Sequence, residues 1–303
     1  MAIPLPLTDR PVPIVPLAHL DHLWFQVGGT MCNLECRHCF ISCSPHNHTF
    51  GFLNLDTVRR TLDESVRLGV KEYYFTGGEP FLNRDLVPIL ELTLRYGPAT
   101  VLTNGTVFKD EWLDRLRRAE QASLFSLEFR VSIDGITAAD NDPIRGPGTF
   151  ERALRGVQQL LSHNFLPIVT VAHTSEEQDD GELFDGFVLL LRAHGYARPR
   201  VKILPTLRLG AEVDRQRGYH DDEYVMPEMM TGFDQGQLIC NHSRTVTDRG
   251  VFVCPILIEA PDGRLGDTLE EALVSYPLRH RACFTCYQYG TLCANPSSRE
   301  RDA

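Results

Sequence analysis

Cys32, Cys36 and Cys39 stand with three and then two residues between them in "TMCNLECRHCFISCSPHNH", residues 30–48, with Cys43, His38, His46 and His48 beside them. Thiolates at that density suit a metal, and two kinds of metal chemistry fit. A structural zinc takes four ligands, so one of His38, Cys43, His46 or His48 would have to complete the set. A four-iron cluster held by only three cysteines keeps one iron open to another ligand. Spacing alone leaves both open. A second group lies near the other end: Cys283 and Cys286 form a CxxC, Cys240 and Cys254 flank a hairpin pattern, and Cys293 follows. That set suits zinc or an iron–sulfur cluster equally well.

The elements that must position these groups are legible as strand–helix alternation from about residue 20 to residue 210. "DHLWFQVGG" reads as a first strand and leads into the cysteine loop. Residues 54–69 carry apolar residues at Leu55, Val58, Leu62 and Val66, behind a capping Asn54 and ahead of Gly69, which predicts an amphipathic helix. "KEYYFTGGEP" reads as a second strand with its exit loop, and "PATVLTNG", "SLEFRVSIDG", "LPIVTVAHT" and "PRVKILPTLRLG" as later strands, each separated from the next by a helical pattern. Such repeats predict a parallel sheet with helical crossovers, either a partial barrel or a doubly wound open sheet. The cysteine loop, Thr76–Pro80 (TGGEP), Thr103–Gly105 (TNG) and Ser132–Gly135 (SIDG) all fall at C-terminal strand ends, the edge that carries the site in parallel α/β folds. Taken singly, Gly77–Gly78 is a turn, Glu79 a solvated carboxylate and Arg145 a surface charge; their joint placement at successive strand ends points to one site.

From about residue 211 the pattern changes to a hairpin around Asp248–Gly250 and a helix in "DTLEEALVSYPL", with Asp267 and Glu270 at capping-box spacing. The expected organisation is an N-terminal extension over 1–19, an α/β core over 20–210 and a small cysteine-rich α+β unit over 211–303, whose core is thin without a metal. A net charge of −10 gives no general pull toward nucleic acid or anionic membranes, and neither is expected as a partner. No apolar run reaches the length of a signal-peptide core or a membrane span, so a cytoplasmic location is expected. There, nine cysteines serve metal better than disulfides.

CxxxCxxC after the first strand, GGEP after the second, and the six-fold alternation around them resemble the radical SAM family. The resemblance implies a partial (β/α)6 TIM-like barrel in which Cys32, Cys36 and Cys39 bind a [4Fe-4S] cluster whose open iron is chelated by S-adenosylmethionine (SAM). One electron would then release a 5′-deoxyadenosyl radical that takes a hydrogen atom from substrate. By the same resemblance, Gly77, Gly78, Glu79 and Pro80 receive the methionine amino group and Arg145 pairs with its carboxylate. Ser132 and Asp134 meet the ribose with Asn104 alongside, and His38 and Phe40 border the adenine. The family's usual His-Asp pair reads Asn141-Asp142 here, and an aromatic residue before the third cysteine is replaced by His38. Cys43, His46 and His48 fall outside the ligand set.

The C-terminal unit is similar to the twitch domain, the shorter relative of the SPASM extension, because five cysteines are too few for two auxiliary clusters. One auxiliary [4Fe-4S] cluster is implied, on Cys240, Cys254, Cys283 and Cys286, with Cys293 able to replace one of them. If only three bind, an open iron could anchor substrate. Hydrogen abstraction followed by oxidation of the substrate radical is the expected chemistry, with an external one-electron reductant such as a flavodoxin or ferredoxin. The stretch ahead of Cys32 is too short for the leader-binding domain of many peptide-modifying relatives, which favours a small metabolite or a peptide delivered by a separate partner. The competing expectations are a redox-neutral rearrangement or epimerisation with a structural auxiliary site, and a non-catalytic metal-binding or electron-carrier protein. No substrate-specific acid or base is assignable.

Overall fold

Asn54 caps its helix as the sequence predicts, its side chain accepting a hydrogen bond from the Thr57 amide at 2.8 Å. The computed structural model describes residues 10–174, 179–292 and 294; Cys293 lies outside the described residues. Strand β1 (Ile14–Val15) precedes β2 (His22–Phe25). Then follow α1 (Leu55–Arg67), β3 (Glu72–Phe75), α2 (Leu86–Thr93), β4 (Ala99–Thr103), α3 (Asp110–Gln121) and β5 (Leu127–Ser132). Two helices, α4 (Ala138–Arg145) and α5 (Thr149–Ser162), lead to β6 (Ile168–His173), α6 (Asp180–Ala193) and β7 (Arg200–Pro205). Beyond the short α7 (Ala211–Arg215) come β8 (Ser243–Thr247), β9 (Gly250–Phe252), β10 (Arg264–Gly266), β11 (Tyr276–Pro277) and α8 (Ala282–Tyr289). Helix α4 has no counterpart in the sequence reading, since Pro143 inside it and Gly146 after it interrupt any periodic pattern.

Strands β2 to β7 lie side by side in chain order, each parallel to the next. Every crossover therefore steps the same way, and right-handed connections leave all the helices on one face. A doubly wound sheet would reverse its order at a switch point; this one does not, so the architecture is the partial barrel. On the other side of β2, β8 continues the sheet in parallel, His22 opposite Ser243 and Phe25 opposite Val246, and β9 and β10 extend it antiparallel. The unit beyond residue 211 thus shares the barrel's sheet. The N-terminal extension is tied to that unit too, with β1 pairing against β11.

Because successive side chains on a strand point to opposite faces, β2 and β3 feed two cores. Leu23, Phe25, Tyr73 and Phe75 pack with the helices, whereas Trp24 and Tyr74 face inward and pack with Val225, Leu238 and Val253 of the C-terminal segment. The two inward rings stack at 4.5 Å.

The helix expected in "DTLEEALVSYPL" does not form; the segment is a succession of turns. Tertiary bonds take the groups a helix would use. The Asp267 carboxylate pairs with Arg264 instead of capping, and the Glu271 carboxylate accepts from the Asp267 amide at 2.6 Å. The carbonyls of Ala272 and Val274 accept from the buried Arg244 guanidinium at 2.7 and 2.6 Å.

Candidate active site

The loops leaving β2, β3, β4 and β5 converge on a cavity of about 1210 Å³, its mouth included. Cys32, Cys36 and Cys39 line it, together with His38, Phe40 and Arg145. The close approach of two loops builds this end. Gly78 donates its amide to the Gly29 carbonyl, and Glu79 donates to Met31. A Cβ on Gly78 would fall 2.0 Å from the Met31 oxygen, and one on Gly77, whose φ is +147°, 2.6 Å from the Gly28 Cα. Only glycine permits this contact, and both residues form cavity wall.

Glu79 and Asp134 stand behind the wall. The fully buried Glu79 carboxylate accepts from Thr103 Oγ1 at 2.8 Å, the Asn104 amide at 2.8 Å and the Phe81 amide at 3.0 Å. Burial pushes it up to about 7 against the pull of those donors. Three of its roughly four acceptor positions are thus committed to knitting the β3 and β4 exits together. Pro80 opens the buried turn that follows.

Asp134, expected at the ribose, is instead the shared counter-ion of Arg145 and His38. One oxygen meets Arg145 Nε and lies 2.8 Å from His38 Nε2; the other accepts from the Ala172 amide at 2.8 Å. Burial alone would raise this carboxyl, but the Arg145 charge and the contact with His38 hold it well below the usual range. Burial likewise works against the Arg145 charge, and Asp134 raises its pKa above the ordinary value. Buried Asn141 fixes the triad from behind: its Oδ1 accepts from the Asp134 amide and its Nδ2 donates to Thr149 Oγ1, both at 3.0 Å. Asn104 lines the cavity and directs its Nδ2 at Cys32 Sγ, 3.7 Å away; Ser132, also in the wall, lies 3.3 Å from Thr170 Oγ1.

Burial pushes the Cys32 thiol up to about 12 and Cys36 to about 11, the latter opposed by Arg145. A hydrogen bond with Cys43 lowers Cys39 and raises Cys43. Cys43 also lines the cavity, whereas His46 and His48 are exposed and border a separate groove.

The second centre is assembled from distant segments. Cys240 precedes β8, Cys254 follows β9, and Cys283 and Cys286 lie on α8; all four line one pocket with apolar walls that include Leu257 and Tyr276. Burial pushes Cys240 up to about 12 and Cys254 to about 11. Beside Cys240 lies Arg244, fully buried, with its guanidinium bonded to the carbonyls of Cys240, Ser243, Ala272 and Val274. Among the described residues it has no carboxylate partner.

The Radical SAM superfamily model matches residues 27–185, more than half of the sequence, from the exit of β2 into α6. The chain belongs to the Radical SAM superfamily. It is 36% identical over 144 residues to the AdoMet-dependent heme synthase of Methanosarcina barkeri (strain Fusaro / DSM 804), a match covering 47% of this chain and 39% of that protein. The antilisterial bacteriocin subtilosin biosynthesis protein AlbA of Bacillus subtilis (strain 168) is 28% identical over 179 residues, 58% of this chain and 36% of its own. The matched stretches therefore span well under half of these relatives. Streptococcus suis SuiB shares the fold, with a TM-score of 0.62 to its SAM-bound crystal structure and 0.61 to that with the precursor peptide SuiA. Identity is 12% in both, and the SAM-bound match covers 83% of this chain and 64% of SuiB.

Radical SAM membership implies a [4Fe-4S] cluster and SAM, and the cavity suits them. Three thiols on one loop, Cys32 buried and Cys36 and Cys39 half-buried, form a soft donor set. Bound iron would supply the positive charge that burial otherwise denies the thiolate forms of Cys32 and Cys36. The wall beside them offers glycine backbone and a neutralised guanidinium. Among the residues of this radical SAM cavity that escape sequence reasoning are Thr170, Arg130, Lys202 and Leu292. Inward alternation along β5, β6 and β7 could have found the first three; Leu292 carried no signal.

Among the described residues, no helix is long and apolar enough to cross a membrane.

Proposed function

We propose that this radical SAM enzyme oxidises a small molecule or peptide, taking a hydrogen atom at the first centre and passing the remaining electron to an auxiliary [4Fe-4S] cluster at the second. When bound, SAM and the first cluster supply a 5′-deoxyadenosyl radical, and the auxiliary cluster supplies a one-electron sink. Cys32, Cys36 and Cys39 hold the first cluster. The Gly77–Gly78 backbone, braced from behind by the Glu79 carboxylate, takes the methionine ammonium, and Arg145, pre-set by Asp134, takes its carboxylate. His38 and Phe40 border the adenine, and Ser132 and Asn104 the ribose. Cys240, Cys254, Cys283 and Cys286 hold the auxiliary cluster. A separate flavodoxin or ferredoxin delivers the electron that starts the cycle.

The observation that carries the second half is Arg244. A buried guanidinium satisfied only by neutral carbonyls calls for a nearby negative charge, and thiolates committed to a cluster beside it provide one. A heme synthase and a bacteriocin biosynthesis protein among the relatives support the two substrate classes.

Anaerobic reconstitution followed by iron and sulfide counting tests the assignment. Wild type is expected to carry two clusters and to form 5′-deoxyadenosine from SAM under dithionite, and the Cys32, Cys36, Cys39→Ala triple variant to keep one cluster. Zinc in place of iron at the second centre, or a triple variant without iron, would overturn the auxiliary-cluster reading. Intact clusters without SAM cleavage would overturn the enzyme reading.

A further inference from the structure

Three cations, Arg130, Arg145 and Lys202, line the large cavity, and among the described lining residues there is no carboxylate. In a chain with a net charge of −10 this is a local inversion of sign. Arg145 is accounted for by Asp134 and by the proposed cofactor contact. Arg130 and Lys202 stand elsewhere. Sheet register sets Ser132, Thr170 and Lys202 in one row across β5, β6 and β7. Arg130 lies two residues nearer the start of β5, about 6.6 Å further from the cysteine loop along the strand.

Arg130 is almost wholly buried, with its guanidinium carbon 5.7 Å from the centre of the Tyr74 ring and its Nε donating to Glu128 at 3.0 Å. Glu128 also accepts from Arg200 at 2.7 Å. Lys202 is half-buried, with Nζ 3.4 Å from the Ala294 carbonyl. Between the cations runs the hydroxyl pair of Ser132 and Thr170. Around them the wall is apolar, with Leu102, Leu204, Leu207 and Leu292. A buried cationic wall flanked by hydroxyls recognises an oxyanion, and its apolar surroundings strengthen the attraction by excluding water.

We propose that the substrate carries an oxyanion, a carboxylate or phosphate, which Lys202 and Arg130 hold with the Thr170 hydroxyl while the substrate's body extends along the leucine wall toward the cysteine loop. This rests on the reading of the cavity as a SAM-dependent radical site. The oxyanion can belong to a small metabolite or to the carboxylate of a peptide.

Isothermal titration of the reconstituted, SAM-saturated holoenzyme tests it with hexanoate, hexyl phosphate and the neutral hexanamide, and with a leucine-rich pentapeptide bearing a free or an amidated C-terminus. At least one oxyanion probe is expected to bind about tenfold or more tightly than its neutral counterpart. Preference confined to the alkyl probes assigns a metabolite; preference for the free over the amidated peptide assigns a peptide terminus. Lys202→Met should abolish the discrimination and Lys202→Arg restore it, the second variant separating lost charge from lost folding. Equal binding of charged and neutral probes, no binding by any of them, or discrimination unchanged in Lys202→Met would overturn the proposal. Failure of the underlying reading looks different: wild type would then form no 5′-deoxyadenosine, whatever its preference among the probes.

Discussion

At the scale of single residues, the cavity depends on charges that cancel out of reach of water. Asp134 is 3% exposed and faces Arg145 and His38, so removing its charge leaves a buried guanidinium without its counter-ion. Breaking a buried pair on one side costs about 3–5 kcal/mol. Asp134→Asn is therefore expected to lower the free energy of urea unfolding of the cluster-free protein by about that amount. Ser132→Ala, which removes only one side of a long 3.3 Å hydroxyl contact, should cost under about 1 kcal/mol. Equal effects of the two substitutions would show that the Asp134 charge is not holding the wall together. The substitution of the family's histidine by Asn141 has a local reason in the same place: an amide can accept from the Asp134 backbone and donate to Thr149 at once.

At the scale of elements, the seam between β2 and β8 carries a pH dependence. His22 opens β2 and His242 immediately precedes β8; both are buried, with ring centres 4.8 Å apart. Burial pulls each imidazole down to about 4 against the pull of Asp21, and the His22 charge further disfavours that of His242. In the unfolded chain both titrate near 6.5. Between about pH 4 and 6.5 the unfolded state therefore binds more protons than the folded one, and stability rises with pH. The stabilisation is full above pH 6.5 and lost as pH falls toward 4. With ~1.4 kcal/mol per pKa unit, the loss approaches roughly 3 kcal/mol per histidine at the acid end, less for the coupled pair than twice that. Urea midpoints measured from pH 4.5 to 7 should climb steeply in wild type and more shallowly in His242→Gln. An identical slope in the two proteins would place the acid sensitivity outside this seam.

At the scale of the whole molecule, the C-terminal segment completes the barrel sheet. Strand β8 satisfies the outer edge of β2, and Val225, Leu238 and Val253 cover Trp24 and Tyr74 on the barrel's inner face. Cutting the chain after residue 210 would strip both at once, exposing an open strand edge and two stacked aromatic rings. The fragment 1–210 is expected to aggregate or elute as a large species on size-exclusion chromatography with light scattering, even when Cys32, Cys36 and Cys39 are all present. A stable monomer with native-like circular dichroism would show that the barrel stands without its partner segment.

What the sequence determined by itself was local. Period-two and period-3.6 patterns place β2 to β7 and their helices, the spacing of Cys32, Cys36 and Cys39 crowds three thiols into one loop, and the Gly77–Gly78 pair marks a tight strand exit, because each depends on neighbours within a few residues. The tertiary structure decided whatever depends on competition between distant groups. Strand order chose the partial barrel over the doubly wound sheet, since hydrogen-bond partners are set by packing and not by periodicity. Arg244 and Glu271 took the polar groups that a helix over 267–278 would have used. Asp134 acquired Arg145 and His38 because burial makes an unpaired charge costly. The cations Arg130 and Lys202 came to share one wall only when register aligned their strands, and Cys240, Cys254, Cys283 and Cys286 met only when β8, β9 and α8 folded around one pocket.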